Sequence, residues 1–283
     1  MRVILLGPGK QRPHVAREAE RLRPLISQYA DIVLCDFTGE ADLAGVEADL
    51  VIVLGGDGSI LRAAHQMGSR QIPVIAVNLG KLGFLADLTP DELLDLLARG
   101  SANGLEIVEH LMLQCRVERG DRILGEGMGL NEVAIQAGPP FAMIEVNLYV
   151  DSELVTTYSC DGLIVSTPVG STAHNLSAGG PILRKDLQAF VISPISPHTL
   201  SNRPVVDSAD RVYEMVVTNA RAGATAVILD GHMLSTLTPG DRVRVCRAEP
   251  RFQLVAAPGH SYYRTLREKL GWGGRLPKVG NSP

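Results

Sequence analysis

A glycine-rich loop with a single carboxylate at its centre is the segment of this sequence best suited to chemistry. Gly55-Gly56-Asp57-Gly58-Ser59 follows the apolar run Leu50 to Leu54. The glycines let a phosphate reach main-chain N–H groups, and a helix beginning after Ser59 attracts anions to its N-terminus. A carboxylate repels phosphate, so Asp57 is useful there if it holds Mg²⁺ against the phosphates or takes a proton from an attacking hydroxyl group. A tight turn with an Asx-type cap is the structural alternative.

Three other segments offer polar groups to a ligand. Asp161 to Pro181 joins an apolar strand to a loop rich in hydroxyls, small residues and glycines, which suits contacts with a polar ligand but also suits a plain connector. Asn131-Glu132 offers an amide and a carboxylate to ribose hydroxyls or an adenine edge, although the pair is common in turns. Asn78 to Leu85 follows a predicted strand, and its Phe84 can offer a ring to a base or pack in the core.

The elements that position these residues fall into two patterns. The first hundred residues alternate strand and helix signals, which predicts a parallel sheet with helices on both faces and ligands at the carboxyl ends of its strands. The run Leu50 to Leu54 lacks the alternation of a half-exposed strand, so both of its faces are expected to be covered. The predicted strands are Arg2 to Leu6, Asp31 to Phe37, Leu50 to Leu54 and Ile72 to Val77, and the predicted helices are Pro13 to Gln28, the segment after Ser59, and Pro90 to Leu97 behind the capping box Thr89-Pro90-Asp91-Glu92.

Beyond Gly104 short β-rich segments alternate with Gly, Pro and Asp turns, which predicts a mostly β second domain. These segments are Leu111 to Val117, Asn131 to Ile135, Ala142 to Val150, Leu163 to Ser166, Tyr213 to Val217, Ala226 to Leu229 and Arg242 to Cys246. From Ser261 the spacing is helical again, before a glycine-rich end at Gly271 to Gly274. We predict an α/β domain over residues 1–103, a β domain over 104–250, and a tail over 251–283 that packs back on the first domain.

Composition narrows the class of protein. The chain has 283 residues and a net charge of -4, with an isoelectric point near 6.0. It therefore has no general basic field for nucleic acid or an anionic membrane, and we expect neither as a partner. No apolar stretch predicts a signal peptide or a membrane span. The seven histidines lack the spacing of zinc ligands, so no zinc site is expected. The four cysteines lie far apart in the sequence, and we predict that they are buried thiols of a cytoplasmic protein. They are Cys35, Cys115, Cys160 and Cys246.

Taken together, the motifs resemble those of the NAD kinase family, in family order from about residue 50 to 272. The segments that carry the resemblance are Gly55 to Ser59, Asn78 to Leu85, Asn131-Glu132, Asp161 to Pro181, Pro197 to Pro204, Asp230-Gly231 and Leu266 to Trp272. The Gly-Gly-Asp-Gly loop is shared with phosphofructokinases and diacylglycerol kinases, whereas the Asp161 to Pro181 run is specific. The resemblance implies a Rossmann-like or phosphofructokinase-like α/β N-terminal domain and a β-sandwich-like C-terminal domain. It also implies that a C-terminal segment returns to the first domain and that the dinucleotide lies between the two domains.

The resemblance also implies an activity, the phosphorylation of the adenosine ribose 2′-hydroxyl of NAD to give NADP. ATP with Mg²⁺ is the expected phosphoryl donor, with inorganic polyphosphate left open, and a homo-oligomer, dimer or tetramer, is the expected assembly. Asp57 is implied as the general base, and Mg²⁺ is expected with ATP near it rather than at a site of protein ligands alone. The residues implied in binding substrate or nucleotide are Gly58, Arg62, Phe84, Asn131, Glu132, Ser159, Asp161, Thr172, Ala173, His174, Ser177, Ser196 and His232.

The sequence departs from the family pattern at three of these positions. His174 stands where Tyr is usual, which keeps a flat ring but adds a titratable nitrogen. His232 stands where Gln is frequent. Ser159 lies in a segment where NAD-selective members often carry Arg, so the choice between NAD and NADH is open.

Other functions are disfavoured by missing motifs. Gly7-Pro8-Gly9-Lys10 lacks the spacing and hydroxyl of a P-loop, and neither the protein-kinase signatures nor a Gly-x-Gly-x-x-Gly after a strand is present. The alternatives that stay open are a sugar or lipid kinase with the same glycine loop and a non-catalytic NAD(P)-binding regulator.

Overall fold

The computed structural model describes residues 1–8, 12–43, 45–80, 83–99, 105–139, 141–199, 201–219, 224–257, 259 and 261–272. The chain divides into two compact units. The first contains Met1–Gln66, Ile72–Val108 and the described residues from Leu254 onward, and the second contains Met67–Gln71 and Glu109–Gln253. Some residues of the motifs and boundaries above lie outside the described residues: Gly9, Lys10, Lys81, Leu82, Gly100, Asn103, Gly104, Leu200, Gly273 and Gly274.

The first unit is built on a six-stranded sheet. Its strands are β1 (Arg2–Leu6), β2 (Asp31–Asp36), β3 (Leu50–Leu54), β4 (Val74–Val77), β5 (Ile107–His110) and β18 (Phe252–Val255), in the order β2-β1-β3-β4-β18-β5. The pairs from β2 to β18 are parallel. All five residues of β3 are buried, as expected for a strand covered on both faces. The predicted α/β sheet is confirmed, and β18 is the C-terminal segment that returns to it.

Helices of the first unit begin and end where their sequences favour it. These are α1 (Pro13–Ile26), α2 (Asp57–Met67), α3 (Pro90–Ala98) and α5 (Tyr262–Leu270). Helix α1 buries Val15, Ala19, Leu22 and Ile26, a stripe at helical spacing. It ends two residues before the predicted Gln28, and α2 begins at Asp57 itself rather than after Ser59. The capping box at the start of α3 is confirmed.

The second unit is a sandwich of two antiparallel six-stranded sheets. One has the order β10-β9-β14-β17-β6-β7 and the other β13-β12-β11-β8-β15-β16. The strands are β6 (Leu113–Arg119), β7 (Arg122–Gly129), β8 (Glu132–Ala137), β9 (Ile144–Val150), β10 (Glu153–Cys160), β11 (Gly162–Ser166), β12 (Ala189–Ile195), β13 (Val205–Ser208), β14 (Tyr213–Asn219), β15 (Thr225–Leu229), β16 (His232–Leu237) and β17 (Arg242–Arg247). One apolar core, drawn from the inner faces of both sheets, includes Val117, Val133, Phe190 and Tyr213. The predicted β-sandwich is thereby confirmed.

The sequence analysis was incomplete or wrong at several elements. It omitted β5, β7, β10, β12, β13, β16 and β18, together with a short 3-10 turn at Gly170–Thr172 and the helix α4 (His174–Ser177). All four cysteines are free thiols, but only Cys115 and Cys160 are buried. Cys35 is exposed because β2 is an edge strand of its sheet. Among the described residues, no helix combines the length and the apolar character that crossing a membrane requires.

Candidate active site

Asp57 is held in place by three backbone N–H groups of the loop that follows β4. Its Oδ2 accepts a hydrogen bond from Phe84 N at 2.8 Å, and its Oδ1 accepts from Leu85 N at 3.0 Å and Ala86 N at 3.2 Å. Gly83 precedes these donors, and a Cβ atom there would lie 2.9 Å from Asp57 Cγ. The loop therefore approaches the carboxylate so closely that Gly83 has no room for a side chain.

Strand order explains why these two loops meet. β3 and β4 are parallel neighbours, so the loops at their carboxyl ends lie side by side. Gly55 N donates to Val77 O at 2.9 Å, which ties the start of the glycine loop to the end of β4. Gly55 has a φ of 145°, which favours glycine. The sharp turn at this residue lets the chain pass directly from β3 into α2.

A cavity of about 220 Å³ opens over the first turn of α2. Its lining consists of the residues Pro8, Arg12, Gly56, Asp57, Gly58, Ser59 and Arg62. A Cβ atom at Gly56 or Gly58 would meet no atom within 4 Å, so this side of the loop is open to a ligand. Two guanidinium groups and the N-terminal end of a helix suit an anion there. Arg12, just before α1, was missed because nothing in its local sequence links it to the Asp57 loop.

Phe84 links the same loop to the C-terminal helix. The Nζ atom of Lys269 in α5 lies 5.3 Å from the centroid of the Phe84 ring, within the range of a cation–π contact. Phe84 thus contributes a backbone donor to Asp57 and a ring contact to α5.

In the second unit, Asn131 and Glu132 are organised by Asp230. The Asp230 carboxylate accepts hydrogen bonds from the N–H groups of Leu130, Asn131 and Glu132 at 2.7, 2.9 and 3.0 Å. Asp230 has a φ of 46° in the turn between β15 and β16. This turn therefore fixes the backbone at the start of β8, where Glu132 begins the strand.

Glu132 has an unusual environment for a carboxyl group. The residue is 9% exposed, and its Oε2 is buried with no hydrogen-bond partner among the described residues. Burial and, to a smaller extent, the negative charge of Asp230 raise the pKa of Glu132 to about 8, against the opposing effect of the backbone N–H of His174. Glu132 is thus mainly uncharged at neutral pH.

His174 lies over the same face of the sheet. Val133 and Ile135 of β8 point into the sandwich core, so Glu132 and Gln136 lie on the opposite face. Gln136 Nε2 and His174 Nε2 are 3.5 Å apart, and burial lowers the pKa of His174. Gln136 was missed by the sequence analysis, although its spacing of four residues from Glu132 predicts that both lie on one face.

The loop that carries Thr172, Ala173 and His174 rests on a buried asparagine. Asn175 is fully buried; its Oδ1 accepts from Ser193 Oγ at 2.7 Å, and its Nδ2 donates to the carbonyls of Ser171 and Pro181 at 3.0 Å each. Thr172 and Ala173 are half-buried, and Ser177 is exposed. The local composition of small and hydroxyl residues is explained by this tight packing.

Ser159 and Asp161 form a second cluster at the other end of β8. Ala137 N donates to Asp161 O at 2.9 Å, and His198 N donates to Ser159 O at 2.8 Å. His198 Nε2 lies 3.5 Å from Asp161 Oδ1. This end of β8 is roughly 15 Å from Glu132, given about 3.4 Å per residue. A polar tract of this length suits an extended ligand better than a compact one.

The remaining predicted site residues are more exposed. Ser196 is exposed with a φ of 45° at the end of β12, and His232 is exposed at the start of β16. The structure therefore groups Asp57, Gly58, Arg62 and Phe84 in the first unit, and Asn131, Glu132 and His174 in the second.

The same residues show whether protein side chains alone could bind a metal ion. Within the described ranges, no group of three or more His, Cys, Asp or Glu side chains could hold a metal ion. Among the described residues that line the cavity at α2, Asp57 is the only acidic one. A magnesium ion is commonly held by one or two carboxylates together with substrate phosphates, so this cavity fits an ion that arrives bound to a nucleotide.

The fold and the glycine loop define the class of protein. It is the class of kinases with a Gly-Gly-Asp-Gly loop. Family models narrow it: the ATP-NAD kinase N-terminal domain matches residues 26–104, and the ATP-NAD kinase C-terminal domain matches residues 130–257. An NAD kinase from Rhodopirellula baltica is 53% identical over 275 residues, covering 97% of this chain and 88% of that protein. The chain therefore belongs to the NAD kinase family, and it is an enzyme that phosphorylates NAD.

Two solved structures share the fold. A crystal structure of an NAD kinase from Archaeoglobus fulgidus in complex with ATP has a TM-score of 0.76 and 27% sequence identity, and the match covers 97% of this chain and 100% of that one. Yeast NADH kinase complexed with NADH has a TM-score of 0.86, with coverage of 99% and 90%. At 22% identity, the likeness to the yeast enzyme shows the fold alone.

Proposed function

We propose that this enzyme transfers the γ-phosphoryl group of ATP to the 2′-hydroxyl of the adenosine ribose of NAD, giving NADP and ADP. The observation that carries the proposal is the Asp57 carboxylate, oriented by three N–H donors at the edge of a cavity lined by Arg12, Arg62 and the first turn of α2. The donor is assigned as ATP because a family member of related sequence is described in complex with ATP.

Asp57 is assigned as the general base. An ionised carboxylate has about four lone-pair sites, and the three N–H groups use two on Oδ1 and one on Oδ2. The remaining site on Oδ2 accepts the proton of the ribose hydroxyl as its oxygen bonds to the γ-phosphorus and the bond to ADP breaks. Arg12, Arg62 and the N-terminal amides of α2 stabilise the negative charge of the phosphates. Mg²⁺ carried by the nucleotide supplies further charge neutralisation.

The second unit is assigned the dinucleotide. Asn131 and Glu132 bind its ribose or adenine groups, and the His174 ring packs on a base. The other residues assigned to binding the dinucleotide are small or polar: Ser159, Asp161, Thr172, Ala173, Ser177, Ser196 and His232. Phe84 in the first unit offers its ring edge. The polar tract along β8 supports a ligand as long as a dinucleotide.

We further propose a cytoplasmic homo-oligomer, with the domain boundaries given above. Four free thiols support a reducing compartment. Oligomerisation is supported by exposed apolar residues on two edge strands: Leu154 and Val155 of β10, each 53% exposed, and Val205 and Val206 of β13, 45% and 46% exposed. Light scattering during size-exclusion chromatography is expected to give a dimer or tetramer, and a Val155→Lys/Val206→Lys variant is expected to give a smaller species.

A donor-by-acceptor matrix tests the proposed reaction. ATP and polyphosphate are each combined with NAD and NADH, with Mg²⁺ or with EDTA, and products are identified by ³¹P NMR. ATP, NAD and Mg²⁺ are expected to give a 2′-phosphate monoester, and EDTA is expected to abolish its formation. The proposal is wrong if polyphosphate alone supports turnover, or if a sugar or diacylglycerol added to the panel outcompetes NAD.

A further inference from the structure

The inference concerns the charge of Glu132 and rests on the proposed function, since it takes the dinucleotide as the ligand of the second unit. The two carboxyl groups at the start of β8 have unequal partners. Asp230 accepts three backbone N–H bonds, whereas Glu132 has one N–H donor, from His174. Two neighbouring carboxyl groups in unequal environments separate into one charged and one neutral group.

The second oxygen of Glu132 decides which group is neutral. Oε2 is buried and has no partner within the described part of the chain. An ionised carboxylate in that position would leave a buried charge unpaired, beside the negative charge of Asp230, which is strongly unfavourable. A protonated Oε2 instead presents a hydroxyl group whose hydrogen can be donated.

We propose that Glu132 binds the dinucleotide as a neutral carboxylic acid, turning its buried hydroxyl group toward the ligand and donating the hydrogen to an uncharged acceptor atom. Asp230 holds Glu132 in this form. A glutamate side chain would ordinarily accept hydrogen bonds from ribose hydroxyls. In this enzyme Glu132 is therefore a donor instead. It selects an oxygen or ring nitrogen with a free lone pair.

The proposal has a pH dependence of definite sign. The groups that face Glu132 are Asp230, from the β15–β16 turn, and His174, from α4, whose ring is neutral because burial lowers its pKa. The pKa of Glu132 is raised to about 8, so the free enzyme loses this proton as the pH rises from 7 to 9. Binding through the neutral form must then take the proton up again. The affinity for NAD is expected to fall about tenfold between pH 7 and pH 9.

Calorimetric titration of the whole enzyme with NAD, in buffers of different ionisation enthalpy, counts the protons exchanged. NAD is the probe because its own groups do not titrate in this range. The wild-type enzyme is expected to take up close to one proton at pH 9 and close to none at pH 7. Glu132→Gln is expected to bind without proton uptake and with a pH-independent affinity, because an amide keeps a donor and cannot ionise. Glu132→Ala is expected to bind at least tenfold more weakly at both pH values.

Glu126→Gln, on β7 of the same unit, is the matched control, because Glu126 pairs with Arg116 at the surface. It is expected to keep the proton uptake of the wild-type enzyme. Proton release at pH 7, or equal proton counts for the wild type and Glu132→Gln, would overturn the proposal while leaving the proposed kinase reaction intact. Failure of NAD to bind the wild type at any pH would overturn both.

Discussion

At the scale of single residues, the active site of the first unit depends on how closely a backbone approaches a carboxylate. Three N–H donors from consecutive residues fix the Asp57 side chain, and the absence of a side chain at Gly83 lets them reach it. The position of the Asp57 carboxylate is therefore set by a loop 27 to 29 residues away in sequence. Small shifts of this loop translate directly into misplacement of the carboxylate.

Gly83→Ala is expected to lower kcat by about 10- to 100-fold, because the new methyl group displaces Asp57 from its reacting position. Its Cβ would lie 2.9 Å from Asp57 Cγ. Steady-state kinetics with ATP and NAD measure the effect. Gly80→Ala is the control in the same loop, since its Cβ would meet only Asn78 Oδ1, at 4.0 Å. A Gly83→Ala enzyme with the kcat of the wild type would show that the carboxylate position does not limit the rate.

Local sequence predicts residue types in a site better than it predicts their partners. Asp57, Asn131 and Glu132 are recognisable because loops and strand ends around them have distinctive composition. The contacts from Phe84, Leu85 and Ala86 to Asp57 depend on strand order, which a single sequence does not encode locally. Asp230 is a similar case, since its three bonds to the start of β8 span about a hundred residues.

At the scale of elements, α3 shows how a helix of the first unit is fixed by its own first turn. Thr89 Oγ1 accepts from Glu92 N at 3.3 Å, and Glu92 Oε2 accepts from Thr89 N at 2.7 Å. Pro90 occupies the first helical position, where its missing N–H costs nothing. The helix then buries Leu93, Leu96 and Leu97. Its start needs no tertiary contact, which explains why the sequence predicts it.

Thr89→Ala is expected to lower the free energy of unfolding by about 1 kcal/mol, since the N–H of Glu92 loses its acceptor and the Glu92 carboxylate loses the hydroxyl donor of Thr89. Chemical denaturation followed by circular dichroism measures the loss. Thr89→Ser keeps the hydroxyl group and is expected to retain most of the stability. Equal stability of the alanine and wild-type proteins would contradict the role assigned to this cap.

Edge strands are the elements that sequence patterns recognise poorly. β3 is apolar throughout and is predicted at its observed bounds. β7 contains three glycines, β10 leaves four of its eight residues exposed, and β13 has only four residues. Strands with one free edge or a solvated face do not need strong alternation, because their neighbours supply the register.

At the scale of the whole molecule, two separately packed units carry different parts of the proposed chemistry. The first contains the cavity with Arg12, Arg62 and Asp57, and the second contains the polar tract along β8. A net charge of -4 gives no general attraction for polyphosphate. In the proposed function, affinity for the nucleotide therefore comes from the two guanidinium groups and the helix end around the cavity.

A buried histidine at the end of β5 makes the folded protein sensitive to acid. His110 is 2% exposed, and burial, followed by the charge of Lys185, lowers its pKa from 6.5 to about 4. Between these values the unfolded chain binds a proton that the folded chain does not, so stability falls as the pH decreases. The slope is about 1.4 kcal/mol per pH unit from this group.

His110→Gln is expected to flatten the loss of stability between pH 6.5 and pH 4.5, because the amide does not titrate. Scanning calorimetry at several pH values measures the slope for each protein. His14→Gln, an exposed position in α1, is the control and is expected to keep the wild-type slope. Identical slopes for the His110→Gln and wild-type proteins would contradict the assignment.

The rate of NADP formation by Asp57→Asn tests the central claim most directly. Asparagine keeps the shape of the side chain but cannot accept the hydroxyl proton, so kcat is expected to fall at least about 100-fold. NAD affinity is expected to stay within about threefold of the wild type, since most of its assigned contacts lie in the second unit. Circular dichroism and thermal unfolding verify the fold. An Asp57→Asn enzyme that is folded, binds ATP and NAD, and forms NADP at the wild-type rate would contradict the account.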